Sequence, residues 1–75
     1  MIAAEIVRTI AESVCLARGV PLSAIYGRDT AQAAADARAD VYAALRERNW
    51  SCTRIGRAFG RDHTTIIHAL KRRAG

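Results

Sequence analysis

The chain has 75 residues, 51 % hydrophobic but only 5 % aromatic, with 12 Lys and Arg against seven Asp and Glu for a net charge of +5. That length suits one small domain, taken as residues 1–75, and leaves little volume for a water-excluding catalytic cleft. Cys15 and Cys52 are too few for a disulfide framework. No apolar run approaches the ~20 residues of a membrane span, and no basic-then-apolar leader opens the chain. The expected setting is the cytoplasm, with both thiols reduced.

The positive charge is unevenly placed. Residues 1–50 carry six Arg against six acids, whereas residues 51–75 carry five Arg and Lys71 against Asp62 alone. The positive field therefore belongs to the last third, as a patch facing a polyanion requires.

In chain order, residues 3–18, AAEIVRTIAESVCLAR, place Ala3, Ile6, Val7, Ile10 and Val14 at helical spacing. Gly19 is the expected C-terminal cap, and Pro21 prevents continuation. PLSAIYG predicts a turn or two, with Leu22, Ile25 and Tyr26 on one side and Gly27 as the stop. RDTAQAAADARADVYAALRERN reads as loop then helix, with Thr30 as N-cap and Val41, Tyr42 and Leu45 on the buried face. Trp50 is expected as a core or half-exposed aromatic beside the bend. SCTRIGRAF opens at Ser51 as N-cap and closes at Gly60, and Asp62 caps a last helix of about three turns.

These five helices make the fold class all-α, and residues 51–73 have the layout of a helix-turn-helix. Ile55 and Phe59 lie four apart, small Gly56 lets the next helix approach, and Gly60 supplies the positive φ of the turn. An ordinary αα-hairpin shares the apolar spacing but does not require small residues at both 56 and 60.

On the last helix, Ile66, Ile67, Ala69 and Leu70 form one sector and Thr64, Thr65, His68, Lys71 and Arg72 the opposite one. His63 lies nearer the apolar side but in the first turn, where a side chain projects past the helix end. His63 and His68 are five apart and diverge, and neither CxxC nor HxxxH occurs, so no metal is expected. There is no GxxxxGK[ST] loop and no nucleophile with an adjacent base, so no cofactor, small-molecule substrate or catalysis is expected.

Reading a duplex groove suits every residue type in this run. Threonine methyls meet thymine methyls, hydroxyls and imidazole exchange hydrogen bonds with base edges, and a carboxylate accepts from the cytosine amino group. Backbone N–H groups at an exposed helix N-terminus suit a phosphate. Arg61, Asp62, His63, Thr64, Thr65 and His68 are the candidate base contacts. Ser51, Thr53, Arg54, Arg57, Lys71 and Arg72 are the candidate phosphate contacts, with Arg73 also flanking the groove.

The run IGRAFGRDHTTIIHALKR resembles the C-terminal DNA-binding domain of the bacterial chromosomal replication initiator DnaA. Residues 55–69 carry that family's helix, glycine turn and Gly-Arg-Asp-His-Thr-Thr segment, followed by an apolar pair and His-Ala. EIVRTIAESVCLARGVPLSAIYG and VYAALRERNWS are similar, more loosely, to its first, short and central helices. The resemblance implies that Arg61, Asp62, His63, Thr64 and Thr65 approach bases and phosphates in the major groove.

Three departures limit what it implies. Gly60 stands where the family has two glycines, which shortens the turn. GRDTAQAAADAR holds only Arg28 and Arg38, with Asp29 and Asp36, where the family has an arginine-rich minor-groove loop. The family's ATPase domain is absent from these 75 residues, so nothing that depends on ATP carries over. The expected function is sequence-specific binding of double-stranded DNA, regulatory in replication initiation or transcription, in a bacterial or phage setting at the nucleoid. The alternative is a protein-interaction module of the same fold that modulates a replication or transcription component.

Overall fold

The computed structural model describes residues 3–27 and 30–74. Five helices follow one another, α1 (Ala3–Arg18), α2 (Ser23–Tyr26), α3 (Gln32–Glu47), α4 (Cys52–Phe59) and α5 (His63–Ala74), with no strand among the described residues. α3 is the central element, packed by α1, α2, α4 and α5, and α4 lies against α5. Tyr42, Ile25, Leu45, Ile55, Ile66 and Val41 are the largest fully buried side chains. Each contributes roughly 1.5–3 kcal/mol of burial free energy or, for the tyrosine, a comparable amount from its ring.

The stripe that α1 buries differs in phase from the one its large residues suggest. Val7, Ala11 and Cys15 are buried, while Ile6, Ile10 and Val14 flank them half-buried and Ala3 is exposed. Small buried Ala11 and Cys15 let α1 lie close to α3, whose buried Ala37 belongs to the same cluster. The Cys15 thiol donates to the Pro21 carbonyl at 3.6 Å, and burial pushes its pKa up. Leu16 points to solvent.

Three helix ends share one device. Val20 N–H donates to Cys15 O at 3.1 Å, Trp50 N–H to Leu45 O at 3.1 Å, and Arg61 N–H to Gly56 O at 2.8 Å. In each case the residue before the donor sits in the left-handed region: Gly19, Asn49 and Gly60 have φ of 66°, 67° and 64°. This six-to-one bond with a left-handed residue inside it is the Schellman ending. Gly19 and Gly60 are the expected caps, and Asn49 is one the sequence reading did not single out.

Two starts test the capping assignments. Ser51 Oγ accepts from Arg54 N–H at 3.1 Å, the expected N-cap of α4. Thr30 is not the cap of α3: Ala31 occupies that position, without a side-chain cap, and its carbonyl takes Ala35 N–H at 3.0 Å. Helix propensity of the alanine run carries α3 from Gln32 onward, so Asp36 and Arg38 are helical rather than in a loop. Arg28 and Asp29 lie outside the described residues.

Trp50 is 5 % exposed and therefore core. The Arg54 guanidinium lies 3.8 Å from its ring centroid, and Arg46 donates to its carbonyl at 2.7 Å. The α3–α4 bend is thus held by a buried aromatic and by two cations.

Candidate nucleic-acid interface

α4 buries Ile55 and Gly56, and α5 buries Ile66 and Ala69. The two helices meet where a Cβ on residue 56 would stand 2.5 Å from the Arg61 carbonyl oxygen, so only glycine allows this approach. Gly60 then reverses the chain at φ 64°. Packing of Ile66 and Ala69 fixes the rotation of α5 and turns its other sector outward.

Asp62, His63, Thr64, Thr65, His68, Lys71 and Arg72 are all exposed. They form a continuous polar face on the N-terminal turn and outer side of α5. Asp62 Oδ1 accepts from Thr64 N–H at 3.0 Å, and the Asp62 carbonyl accepts from Thr65 N–H at 3.0 Å. The bond from Thr64, first among its causes, holds the Asp62 carboxyl below the ordinary carboxylate range, with help from His63. His63 Nδ1 lies 3.0 Å from the same carboxylate oxygen. This capping corrects one expectation. The N–H groups of Thr64 and Thr65 are already taken, so they are not an open phosphate site.

The remaining cations divide. Arg54, over Trp50, and Arg57 are exposed on α4 beside exposed Thr53 and the capping Ser51. Arg61, by contrast, is turned inward. Its Nη2 donates to the Gly27 carbonyl at 2.6 Å, which ties the turn before α5 to the end of α2. Arg73 donates to Asp40 at 2.9 Å, and Arg18 of α1 bonds the same carboxylate. Those bonds, Arg18 first, hold the Asp40 carboxyl below its ordinary range although burial opposes them. Arg73 is therefore tied to α3 by an ion pair while its side chain stays half exposed.

Tyr42 is in the core, as its place on the buried face of α3 predicts. The ring packs edge-on against Phe59, with centroids 5.4 Å apart, and Tyr26 packs on the same Phe59 ring at 5.5 Å. Burial raises the Tyr42 pKa against the pull of Arg61 and Arg38, so the hydroxyl keeps its proton. Arg38 reaches across to donate to the Ala24 carbonyl at 2.8 Å. Nothing in local spacing marks these long-range roles. Among the described residues no three His, Cys, Asp or Glu side chains converge on a metal position, and no helix is long and apolar enough to cross a membrane.

A short helix, a left-handed glycine turn and a second helix presenting hydroxyls, imidazoles and cations define a DNA-binding helix-turn-helix domain. The family described as the bacterial DnaA protein helix-turn-helix matches residues 7–72, and the chain belongs to that family. The match takes in all of α2 to α4, α1 without its first turn, and α5 up to Arg72. No curated protein and no solved structure matches the chain. The family is one of DNA-binding rather than catalytic domains.

Proposed function

We propose that the protein binds double-stranded DNA sequence-specifically, with α5 in the major groove, and regulates replication initiation or transcription at the nucleoid. The observation that carries this reading is the outward face of α5, where Thr64, Thr65 and His68 are all exposed while Ile66 and Ala69 anchor the helix from behind. Asp62, His63, Thr64, Thr65 and His68 contact base edges. Arg61 serves them from the side, since its guanidinium is engaged at Gly27. Ser51, Thr53, Arg54, Arg57, Lys71 and Arg72 contact phosphates. Asp62 is ionised at neutral pH and accepts only, which suits a cytosine amino group and disfavours a phosphate.

Selection from a random duplex pool, followed by affinity against salt, tests the reading. A preferred site should emerge, and log affinity should fall linearly with log salt as neutralised phosphates release counterions. A pool that yields no site, with flat salt dependence, refutes it.

A second reading rests on the apolar groove lined by Val7, Tyr26, Trp50, Arg54 and Arg57. As a protein-interaction module, the chain would dock a replication or transcription protein there. That reading requires retention of a protein partner together with DNA affinity that does not respond to salt.

A further inference from the structure

A cleft of about 330 Å³ runs between α3 and the outer side of α5, walled by Arg38, Tyr42, Arg61, Thr65, His68 and Arg72. Two polar atoms in these walls, the Tyr42 hydroxyl and Arg61 Nε, are buried and have no hydrogen-bond partner. Tyr42 is 1 % exposed, and its hydroxyl lies within the fields of Arg61 and Arg38, which line the same cleft. A buried polar atom without a partner costs stability, and two on residues that line one cleft call for a cause.

Both unmet groups have a hydrogen to give. A guanidinium Nε–H only donates, and the protonated phenol donates as well as accepts. Their charged neighbours in the cleft are donors as well. Among the described residues no carboxylate lines it. Asp36 and Asp40 line the adjoining cleft, where Asp40 is already engaged by Arg18 and Arg73. Three guanidinium groups line the cleft, and the acceptors beside them are the uncharged hydroxyls of Thr30 and Thr65 and the His68 ring, so what it lacks is an anion. A water molecule supplies lone pairs but no charge to set against three guanidinium groups.

We infer that this cleft is an oxyanion seat for one phosphate group, with Tyr42 and Arg61 donating from its floor and Arg72 from its rim. The floor atoms are shut off from solvent, so seating requires rotamer changes among the exposed wall residues, His68 and Arg72 included. The phosphate comes either from the backbone of bound DNA or from free phosphate. In its DNA form the inference rests on the proposed function and adds α3, through Tyr42, to the helix-turn-helix contacts.

Thermal unfolding of the full chain in sodium phosphate and in sodium chloride at equal ionic strength tests it, with Tyr42→Phe and Arg72→Gln alongside. In chloride, Tyr42→Phe should fold at least as stably as the parent, because it removes an unpaired buried hydroxyl. In phosphate the parent midpoint should climb with concentration while both variants respond less. The second measurement is affinity for random and selected duplexes in chloride. A backbone seat predicts a loss of roughly three- to tenfold for Tyr42→Phe, equal on both duplexes. A seat for free phosphate predicts phosphate stabilisation with DNA affinity unchanged. If Tyr42→Phe does not fold, Arg72→Gln carries the phosphate readout, the one that its own proposed contact with DNA does not affect.

Identical phosphate responses in parent and both variants, with the DNA affinity of Tyr42→Phe unaltered, would overturn the seat while leaving the DNA reading intact. Phosphate stabilisation lost in the variants of a protein that binds no DNA would do the reverse.

Discussion

Gly56 and Arg61 meet at the point where α4 and α5 are closest, and each is constrained by the other's backbone. Gly56→Ala places a methyl 2.5 Å from a carbonyl oxygen that belongs to the turn, not to a flexible side chain. The helices must part, at a cost of about 1–3 kcal/mol. Urea unfolding should show a lower midpoint with an unchanged slope. Gly60→Ala should cost about 1–2 kcal/mol through its left-handed backbone alone, since nothing lies within 4 Å of the added carbon. Both glycines were legible in the sequence because a tight helix-turn-helix demands them locally. The direction of Arg61 was not. Its partner, Gly27, is 34 residues away, and spacing along one helix does not reveal which way a long guanidinium turns.

Among the helices, α4 depends most on its ends, being only eight residues long. Ser51→Ala removes the side-chain acceptor for Arg54 N–H and should cost about 1 kcal/mol, measurable in the same unfolding experiment. The last turn of α5 is held differently, through the Asp40 carboxylate of α3 that also bonds Arg18 of α1. Its folded pKa lies below the ordinary carboxylate value. The linked stability is therefore present above the unfolded pKa of ~3.9 and is lost as pH falls through the lower folded value. Asp40→Asn should flatten that part of the acid limb of a stability-against-pH curve, and a curve identical to the parent's would remove Asp40 from this role.

Helix identity was readable from periodicity in α1, yet its phase was not. The large residues Ile6, Ile10 and Val14 point to one stripe, while close packing on α3 selects the smaller Ala11 and Cys15 for the centre. For α3 the alanines fixed the state and not the start, and the cap moved from Thr30 to Ala31. Asn49 escaped notice because asparagine takes the left-handed region less often than glycine, and only the Trp50–Leu45 bond identifies it as a cap.

Over the whole molecule, charge and architecture coincide. Residues 1–50, α1 to α3 with their connections, balance six Arg against six acids, whereas the helix-turn-helix carries the surplus. Two of its cations are bonded to other elements, Arg61 to the Gly27 carbonyl and Arg73 to Asp40. Exposed Arg54, Arg57, Lys71 and Arg72 remain for a polyanion. Four such contacts predict a log–log salt slope of roughly −3.6 on duplex DNA. Arg57→Gln should reduce its magnitude by about one, read from affinities over a salt series. The outward face of α5 was legible because one helix carries it whole. The cleft beside it was hidden because Tyr42 and Arg38 come from α3, far away in sequence, and its chemistry exists only where the two helices pack.

The measurement that bears most directly on α5 as the reading element is affinity for a selected site relative to random duplex, in Thr65→Ala and in Lys71→Ala. Thr65→Ala should lose about 1–3 kcal/mol on the selected site and almost nothing on random DNA. Lys71→Ala should weaken both by the same factor, so that its ratio stays at the parent's value. Equal losses by Thr65→Ala on the two duplexes would mean that α5 does not read bases, whatever else holds the protein on DNA.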